Sequence, residues 1–362
     1  MAGSSGNAGR GDRILVPRTA PGTVRIPPTQ RADTSMEQGQ LMSRAAWLYY
    51  QAGLNQEETA ARLGLTRARV NKLLQLARER GIVSITIDHR DVGLLPLEER
   101  LRQRFDLELC ICTPQLGLGA GEVCPGTAIA ELPRRAVGAA AAQHLREVLA
   151  RSPEAVVGTG WGRTLEQMTL NIAGLSAPRA RFVSLMGSLV ANSACNPFEV
   201  VQGLARSTGG EGYFLPVPFI ADTERDRDVL LSQVSVARPL ELARNTDLAL
   251  ISVGELTGTS LLRHQRMISD EDLSSLRATG AVGDTNGIFF DRDGRPVDHP
   301  LNARTLAVGF EDLTRSCTVI LAAGHVKVEA VHALLRSGMP SGLIIDGDAA
   351  LELAALIDGT AT

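Results

Sequence analysis

Nine short apolar runs, LCIC (109–112), AVVGT (155–159), FVSLMG (182–187), YFLPV (213–217), LALISVG (248–254), IFFD (288–291), TLAVG (305–309), TVILAAG (318–324) and LIID (343–346), recur through the larger part of the chain. Stretches of helical period lie between many of them, at 134–150, 164–172, 197–207, 270–278, 326–337 and 347–357. Near-continuous apolar strands alternating with helices are what a largely parallel sheet covered on both faces requires. In such a sheet ligands bind beyond the carboxyl ends of the strands, so functional residues are expected in the strand-to-helix loops.

A different pattern precedes it. Over Asn55–Gly81, NQEETAARLGLTRARVNKLLQLARERG, two helices are joined by a tight turn. Asn55 is placed to cap the first, with Glu58 at the capping-box position, and Ala60, Ala61 and Leu63 supply its apolar side. Gly64 permits the turn, Leu65 tucks under it, and Thr66 caps a second helix that buries Val70, Leu73, Leu74 and Ala77. Arg67, Arg69, Asn71, Lys72 and Gln75 stay exposed, side chains whose donors and acceptors suit the edges of bases in a major groove. Gln56, at the start of the first helix, is placed for backbone positioning. Any amphipathic hairpin has a polar face. Here, however, Arg62–Arg80 holds six basic residues against the single acid Glu79, which favours DNA.

Charge is divided in the same way. The net −3 conceals +3 over residues 1–35 and +3 over 36–90, which leaves −9 for the rest. A basic front on an acidic bulk fits a DNA-reading head on a body that avoids DNA. Residues 1–35, rich in Gly, Pro, Ser and Arg, are expected to be a disordered tail. The helix-turn-helix domain then covers 36–90, with a first helix over Met36–Ala52 (Leu41, Ala45, Leu48 and Tyr49 inward) and a strand or wing in IVSITIDHR. A connector helix (91–106) carries Leu97, Leu101 and Phe105 on one side, and an effector domain fills 107–362. Five cysteines without metal-site spacing read as free thiols, and no apolar run reaches the eighteen residues of a membrane span, so a cytoplasmic protein without cofactor or metal is expected. Arginine outnumbers lysine 35 to 2, which draws attention to Lys72 and Lys327, where a compact ammonium is retained.

Among the loops, Gly158-Thr159-Gly160-Trp161-Gly162-Arg163-Thr164 follows a strand and opens a helix, with Thr164 and Gln167 spaced as a capping box. Alternate glycines let the backbone approach an anion at the helix N-terminus, and Arg163 adds a guanidinium fork. Gly254 closes one strand and Lys327, after Gly324-His325, follows another; Gly283 with Asp284 precedes the strand IFFD, where Asp284 can bind a sugar hydroxyl, and Gly187 and Asn196 offer a further wall. Each also has a plain structural use as turn, cap or solvated first-turn residue. Together they describe a polar pocket for a small hydroxylated ligand.

The head together with GWGRTL (160–165), GAVGD (280–284), FFDRDG (289–294), AAGHVKVEAVHALLRSG (322–338) and LIID (343–346) resembles the SorC/DeoR-type sugar-binding transcriptional regulators over about residues 40–357. The resemblance implies a winged helix-turn-helix joined to an α/β effector domain of the sugar-phosphate isomerase/CoA-transferase type. It also implies a homo-oligomer, dimer or tetramer, that binds a double-stranded DNA operator under control of a sugar, sugar phosphate or polyol. By the same resemblance the loop 158–164 cradles a phosphate, and Asp284 and Lys327 are pocket positions. His325 stands where the family has a second glycine. The alternative is an isomerase-like enzyme, for which Asp222, Asp284 and Asp346 are the available carboxylates, yet no acid–base pair stands out and no catalytic residue is assigned.

Overall fold

The computed structural model describes residues 30–83, 94–118, 129–172, 174–188, 196–258 and 260–359. Two compact units part between Ala77 and Arg78. In the first, α1 (Gln30–Ala46) runs into a π-helical turn over Trp47–Gln51, and α2 (Gln56–Leu63) and α3 (Arg67–Glu79) follow. The first helix thus begins six residues before Met36, inside the stretch read as tail, and its buried residues are Met42, Ala45 and Ala46. The widened π turn changes the angular spacing beyond Ala46. Leu48 and Tyr49 are left half-buried and Trp47 exposed, which is why the inward face drawn from regular spacing is displaced. The wing lies, from residue 84 on, outside the described residues.

The second unit opens with α4 (Leu95–Phe105), then β1 (Leu109–Cys112), α5 (Leu132–Arg151), β2 (Val156–Thr159), α6 (Arg163–Leu170), β3 (Arg181–Ser188), α7 (Pro197–Thr208) and β4 (Glu211–Pro218). Two helices, α8 (Glu224–Ser232) and α9 (Val234–Arg244), lead to β5 (Leu248–Ser252), after which β6 (Gly254–Glu255), α10 (Leu261–His264), α11 (Asp270–Ala278), β7 (Gly283–Thr285), β8 (Ile288–Phe290) and α12 (Pro300–Arg304) form an excursion. The chain returns through α13 (Phe310–Arg315), β9 (Cys317–Ala322), a 3₁₀ turn (His325–Lys327), α14 (Val328–Arg336), β10 (Gly342–Ile345) and α15 (Gly347–Ile357). β1 through β5, β9 and β10 make one seven-stranded sheet in the order β1-β10-β9-β5-β2-β3-β4, parallel at every pairing, and β6-β7-β8 make a small antiparallel one.

Alternate residues of the large sheet feed two cores. Val157, Phe182, Leu250 and Leu321 meet α5, α6 and α7, whereas Val156, Leu185, Ile251 and Ile320 meet α4, α9, α14 and α15. Apolar residues are therefore needed on both faces, and the strands read as continuous runs. Cys110 and Cys112 share the second core as buried free thiols. The excursion has its own cluster, in which Phe289, Leu262, Leu276 and Leu301 pack with Trp161, Met186 and Phe219. No described helix is long and apolar enough to cross a membrane.

Several elements differ from the sequence reading. TLAVG is not a strand. Leu306 donates to Phe219 and its carbonyl accepts from Gly187, while Val308 donates to Leu185, so the segment divides its bonds between two neighbours and makes isolated bridges. LALISVG ends as β5 at Ser252, and its Gly254 opens β6 in the second sheet. GAVGD, read as a loop, contains β7. Helices α8, α9, α10, α12 and α13 had no place in the reading; α8 buries none of its residues fully, so it leaves no apolar stripe to detect.

α5 and α6 cross at Gly138, where an added Cβ would lie 2.5 Å from the Gln167 Cβ and 2.8 Å from the Met168 amide nitrogen. Alanine would gain about 1 kcal/mol of helix propensity, but the overlap with backbone forces the helices apart at a cost of about 1–3 kcal/mol. Gly138→Ala is therefore expected to destabilise the protein in a urea titration, and Gly138→Val to destabilise it more.

Candidate functional site

In the head, Asn55 Oδ1 accepts the Glu57 and Glu58 amides at 2.9 and 3.0 Å, and Glu58 Oε2 accepts the Asn55 amide at 2.8 Å, completing a capping box. Gly64 closes α2 in the left-handed region at φ 67°, and Thr66 Oγ1 accepts the Arg69 amide at the start of α3. The side of α2 that turns inward carries Thr59 and Ala60, while Ala61 is exposed, one step away from the face read in the sequence. On α3, Val70, Leu73, Leu74 and Ala77 are buried. Their burial fixes which face is free: Thr66, Arg67, Arg69, Asn71, Lys72 and Gln75 are exposed together. Gln56 Oε1 accepts from Arg67 Nε at 3.4 Å, joining the first turns of the two helices.

In the body, the order β9-β5-β2-β3 places a change of direction between β5 and β2. The chain moves outward through β3 and β4 after β2, and through β9 and β10 on the other side of β5. The connection leaving β2 enters α6 on one face of the sheet, and that leaving β9 enters α14 on the opposite face. A crevice opens where such connections diverge. Trp161, Gly162, Arg163 and Thr164 line it from the β2 loop, Ser252, Val253 and Gly254 from the β5 loop, and Lys327 from the β9 loop. The excursion supplies Glu255, Ser260, Leu261, Leu262 and Asp284, and α5 supplies Arg134.

Local geometry explains two of the glycines. Gly162, at φ 127°, is the N-cap of α6, and a Cβ there would approach Ser252 Oγ to 2.9 Å; that hydroxyl donates to the Trp161 carbonyl at 2.6 Å and holds the loop. Gly254 pairs with Asp284 across β6 and β7, and a Cβ on it would lie 2.0 Å from Asp284 Oδ1. The carboxylate can occupy its position because the facing residue has no side chain. Because Gly162 is the cap, Thr164 falls inside α6 and is buried, and the capping box expected of Thr164 and Gln167 does not form.

The cleft sets three cations, Arg134, Arg163 and Lys327, against two buried acids, Glu255 and Asp284. Lys327 Nζ donates to the Val253 carbonyl at 2.6 Å. Burial holds that ammonium below the usual lysine range, with the nearby Arg134 and Arg163 charges adding to it and Glu255 and Asp284 opposing. Burial also pushes the Asp284 carboxyl up to about 7, helped by Glu255 and resisted by the Gly287 amide and Lys327. Arg134 is paired with Glu131 at 2.7 Å. The cleft is narrow, with a cavity volume of about 30 Å³, room for a water or two. A roomier groove of about 540 Å³, between Arg292, His332 and Leu356, shares the β9 loop through His325 and Val326 but takes none of its lining from the β2 or β5 loops; the convergence of three loops favours the smaller cleft.

Of the residues expected in a pocket, Trp161, Gly162, Arg163, Thr164, Gly254, Asp284 and Lys327 come together there. Gly158 and Thr159 belong to β2, Gly158 packing on Leu185 and Thr246. Gly160 lies against Asn286, Gly187 against the Pro218 carbonyl, and Gly283 against Ala330; Asn196 caps α7 by accepting the Phe198 amide at 3.1 Å. None of these six lines the cleft. Arg134 had no sequence signal, since an arginine three residues after Glu131 in a first helical turn reads as a surface pair. Glu255 had one, the acid directly after a glycine already placed on the rim.

The sequence matches the sugar-binding domain family over residues 89–355. It is 35% identical over 306 residues to the erythritol catabolism regulatory protein EryD of Brucella abortus, a match covering 84% of this chain and 93% of that one. It is 28% identical to the transcriptional regulator LsrR of Klebsiella pneumoniae, covering 90% and 96%. In fold it resembles the full-length sorbitol operon regulator SorC of Klebsiella pneumoniae, with a TM-score of 0.66 at 24% identity over 87% of this chain and 98% of that one.

A carboxyl whose folded pKa lies above its unfolded value stabilises the protein below the unfolded value, and that stability is lost as pH rises through the folded one. For Asp284 the window runs from about pH 4 to about 7, and the contribution is on the order of 4 kcal/mol. Thermal melts of the ligand-free protein are expected to fall across this window more steeply in the wild type than in Asp284→Asn. Parallel curves would show that Asp284 is ionised in the folded state.

Proposed function

Because the chain belongs to the SorC/DeoR-type sugar-binding transcriptional regulators, which bind DNA under control of a small carbohydrate and are not enzymes, we propose that its cleft at the β2–β5 divergence receives a short polyhydroxylated effector with an anionic end. The observation carrying this reading is the opposition of Arg134, Arg163 and Lys327 to Glu255 and Asp284 within one cleft. Carboxylates accept hydroxyl hydrogens, and a guanidinium fork at a helix N-terminus suits a phosphate or carboxylate. The name of the Brucella relative contains erythritol, a four-carbon polyol, which supports the polyhydroxylated part of this reading. Ser260, Leu261 and Leu262 close the cleft over the carbon chain.

On the DNA side, α3 enters a major groove, with Arg67, Asn71 and Lys72 reaching bases or phosphates and Gln56 steadying Arg67. Two heads from an oligomer read a roughly palindromic operator, since the symmetry of the protein imposes symmetry on the site. The domain limits 36–90, 91–106 and 107–362 and a cytoplasmic location complete this reading. Effector and operator affinities change by the same factor, because coupling between two binding sites is reciprocal.

Mobility shifts with upstream genomic DNA, with and without tetritols, pentitols and their monophosphates, test the proposal. Absence of operator binding in moderate salt would sink it. Lys72→Ala is expected to weaken operator binding about tenfold, the worth of one good contact, and to leave the effector response intact. Lys327→Ala is expected to do the reverse, lowering effector affinity at least about tenfold. The chain has two tryptophans, Trp47 in the head and Trp161 in the cleft. In a Trp47→Phe background, effector titration is therefore expected to change the emission of Trp161, and a silent Trp161 with an active effector would place binding elsewhere.

A further inference from the structure

Asp346 directly follows β10, at the N-cap of α15, and is 2% exposed. Its carboxylate is shared between two elements. Oδ1 accepts the Ala349 amide at 3.1 Å, capping α15, and Oδ2 accepts the Gly324 amide at 2.7 Å. Gly324 begins the 3₁₀ turn, its carbonyl accepts the Lys327 amide at 3.1 Å, and Lys327 Nζ in turn donates to Val253 on the cleft wall. One buried carboxylate thus grips both the turn that presents Lys327 and the start of a helix.

α15 touches the 3₁₀ turn at one side and α4 at another. Leu353 and Ala350 share a core with Leu101 and Phe105 of α4, and Arg100 of α4 pairs with Asp358 at the C-cap of α15. That pair is exposed and contributes little by itself, so the apolar contact is what joins α4 to α15. In the sequence α4 is the first helix after α3.

We propose that Asp346 is the positioning residue that sets Lys327 and, through α15, passes the state of the effector cleft to α4. The proposal rests on the reading that the effector meets Lys327, but its test needs no effector. Amide hydrogen exchange of the full-length, ligand-free protein would be followed in wild type, Lys327→Met, Asp346→Ser and the double variant. Serine retains the cap on α15 but is too short to reach Gly324 as well. Each single change is expected to raise exchange about fivefold in the turn 324–327 and in α4, the scale of one lost hydrogen bond. Exchange in β5 and in the first turn of α15 should stay at the wild-type level. The double variant should add nothing to either single change, as residues acting in series require. Effects that add, or an α4 unchanged in Asp346→Ser, would overturn the proposal. If Asp346→Ser raises exchange in β5, the milder Asp346→Asn, which keeps one acceptor oxygen, is judged by the same criterion. An effector response that persists in Lys327→Ala in the gel shifts would refute the cleft as effector site and leave the exchange result standing, so the two failures are distinguishable.

Discussion

A parallel sheet covered by helices on both faces opens at its carboxyl edge where the chain changes direction, and the candidate cleft of the body depends on that opening. Between β5 and β2 the chain changes direction, so the segments leaving neighbouring strands turn to opposite faces. No side chain is needed to make the gap; topology makes it. The side chains then decide what enters. Glycine at 162 and 254 lets Ser252 and Asp284 come close, and the small β6–β8 sheet roofs the opening with its own apolar cluster. The head uses a simpler constraint. Four buried residues of α3 fix its orientation, and the reading face is what remains.

Much of this was legible because buried parallel strands read as continuous apolar runs and amphipathic helices keep a period of about 3.6 residues. The apolar runs at 109–112, 155–159, 182–187, 213–217, 318–324 and 343–346 are strands in the structure, within a residue or two at each end. The capping box at Asn55, the turn at Gly64 and the cap at Thr66 stand where the sequence placed them. What failed lacked such a signal or carried it without a ladder. α8 keeps its residues at the surface, β7 is three residues with two polar ones, and TLAVG has a strand's apolar residues but divides its hydrogen bonds between two neighbours. For the cleft, loop residues adjoining strand ends were readable, and Arg134, brought to the cleft by the packing of α5 on α6, was not. Glycine-rich stretches also mislead in one direction. Gly158 and Gly187 are small because another chain segment lies against them inside the fold.

The two ionisable residues at the centre of the cleft carry opposite consequences of one burial. Dehydration disfavours charge on both, so Lys327 is held down and Asp284 up, and each partly relieves the other. A ligand that supplies hydroxyls to Asp284 and negative charge to Lys327 replaces lost hydration with fixed partners. Selectivity follows from the cost of doing this incompletely, since a buried group left unpaired is penalised more than a paired one is rewarded.

The near-closed state of the cleft has a consequence for how sensitivity evolves. If an effector is admitted only when the β6–β8 side of the cleft gives way, the observed affinity is the intrinsic one discounted by the open fraction. Substitutions in the Phe289–Leu262–Leu276 cluster, none of which is charged, would then act as a gain control. Loosening the roof lowers the concentration at which the regulator responds, and tightening it raises the threshold, while the contacts that recognise the molecule stay the same.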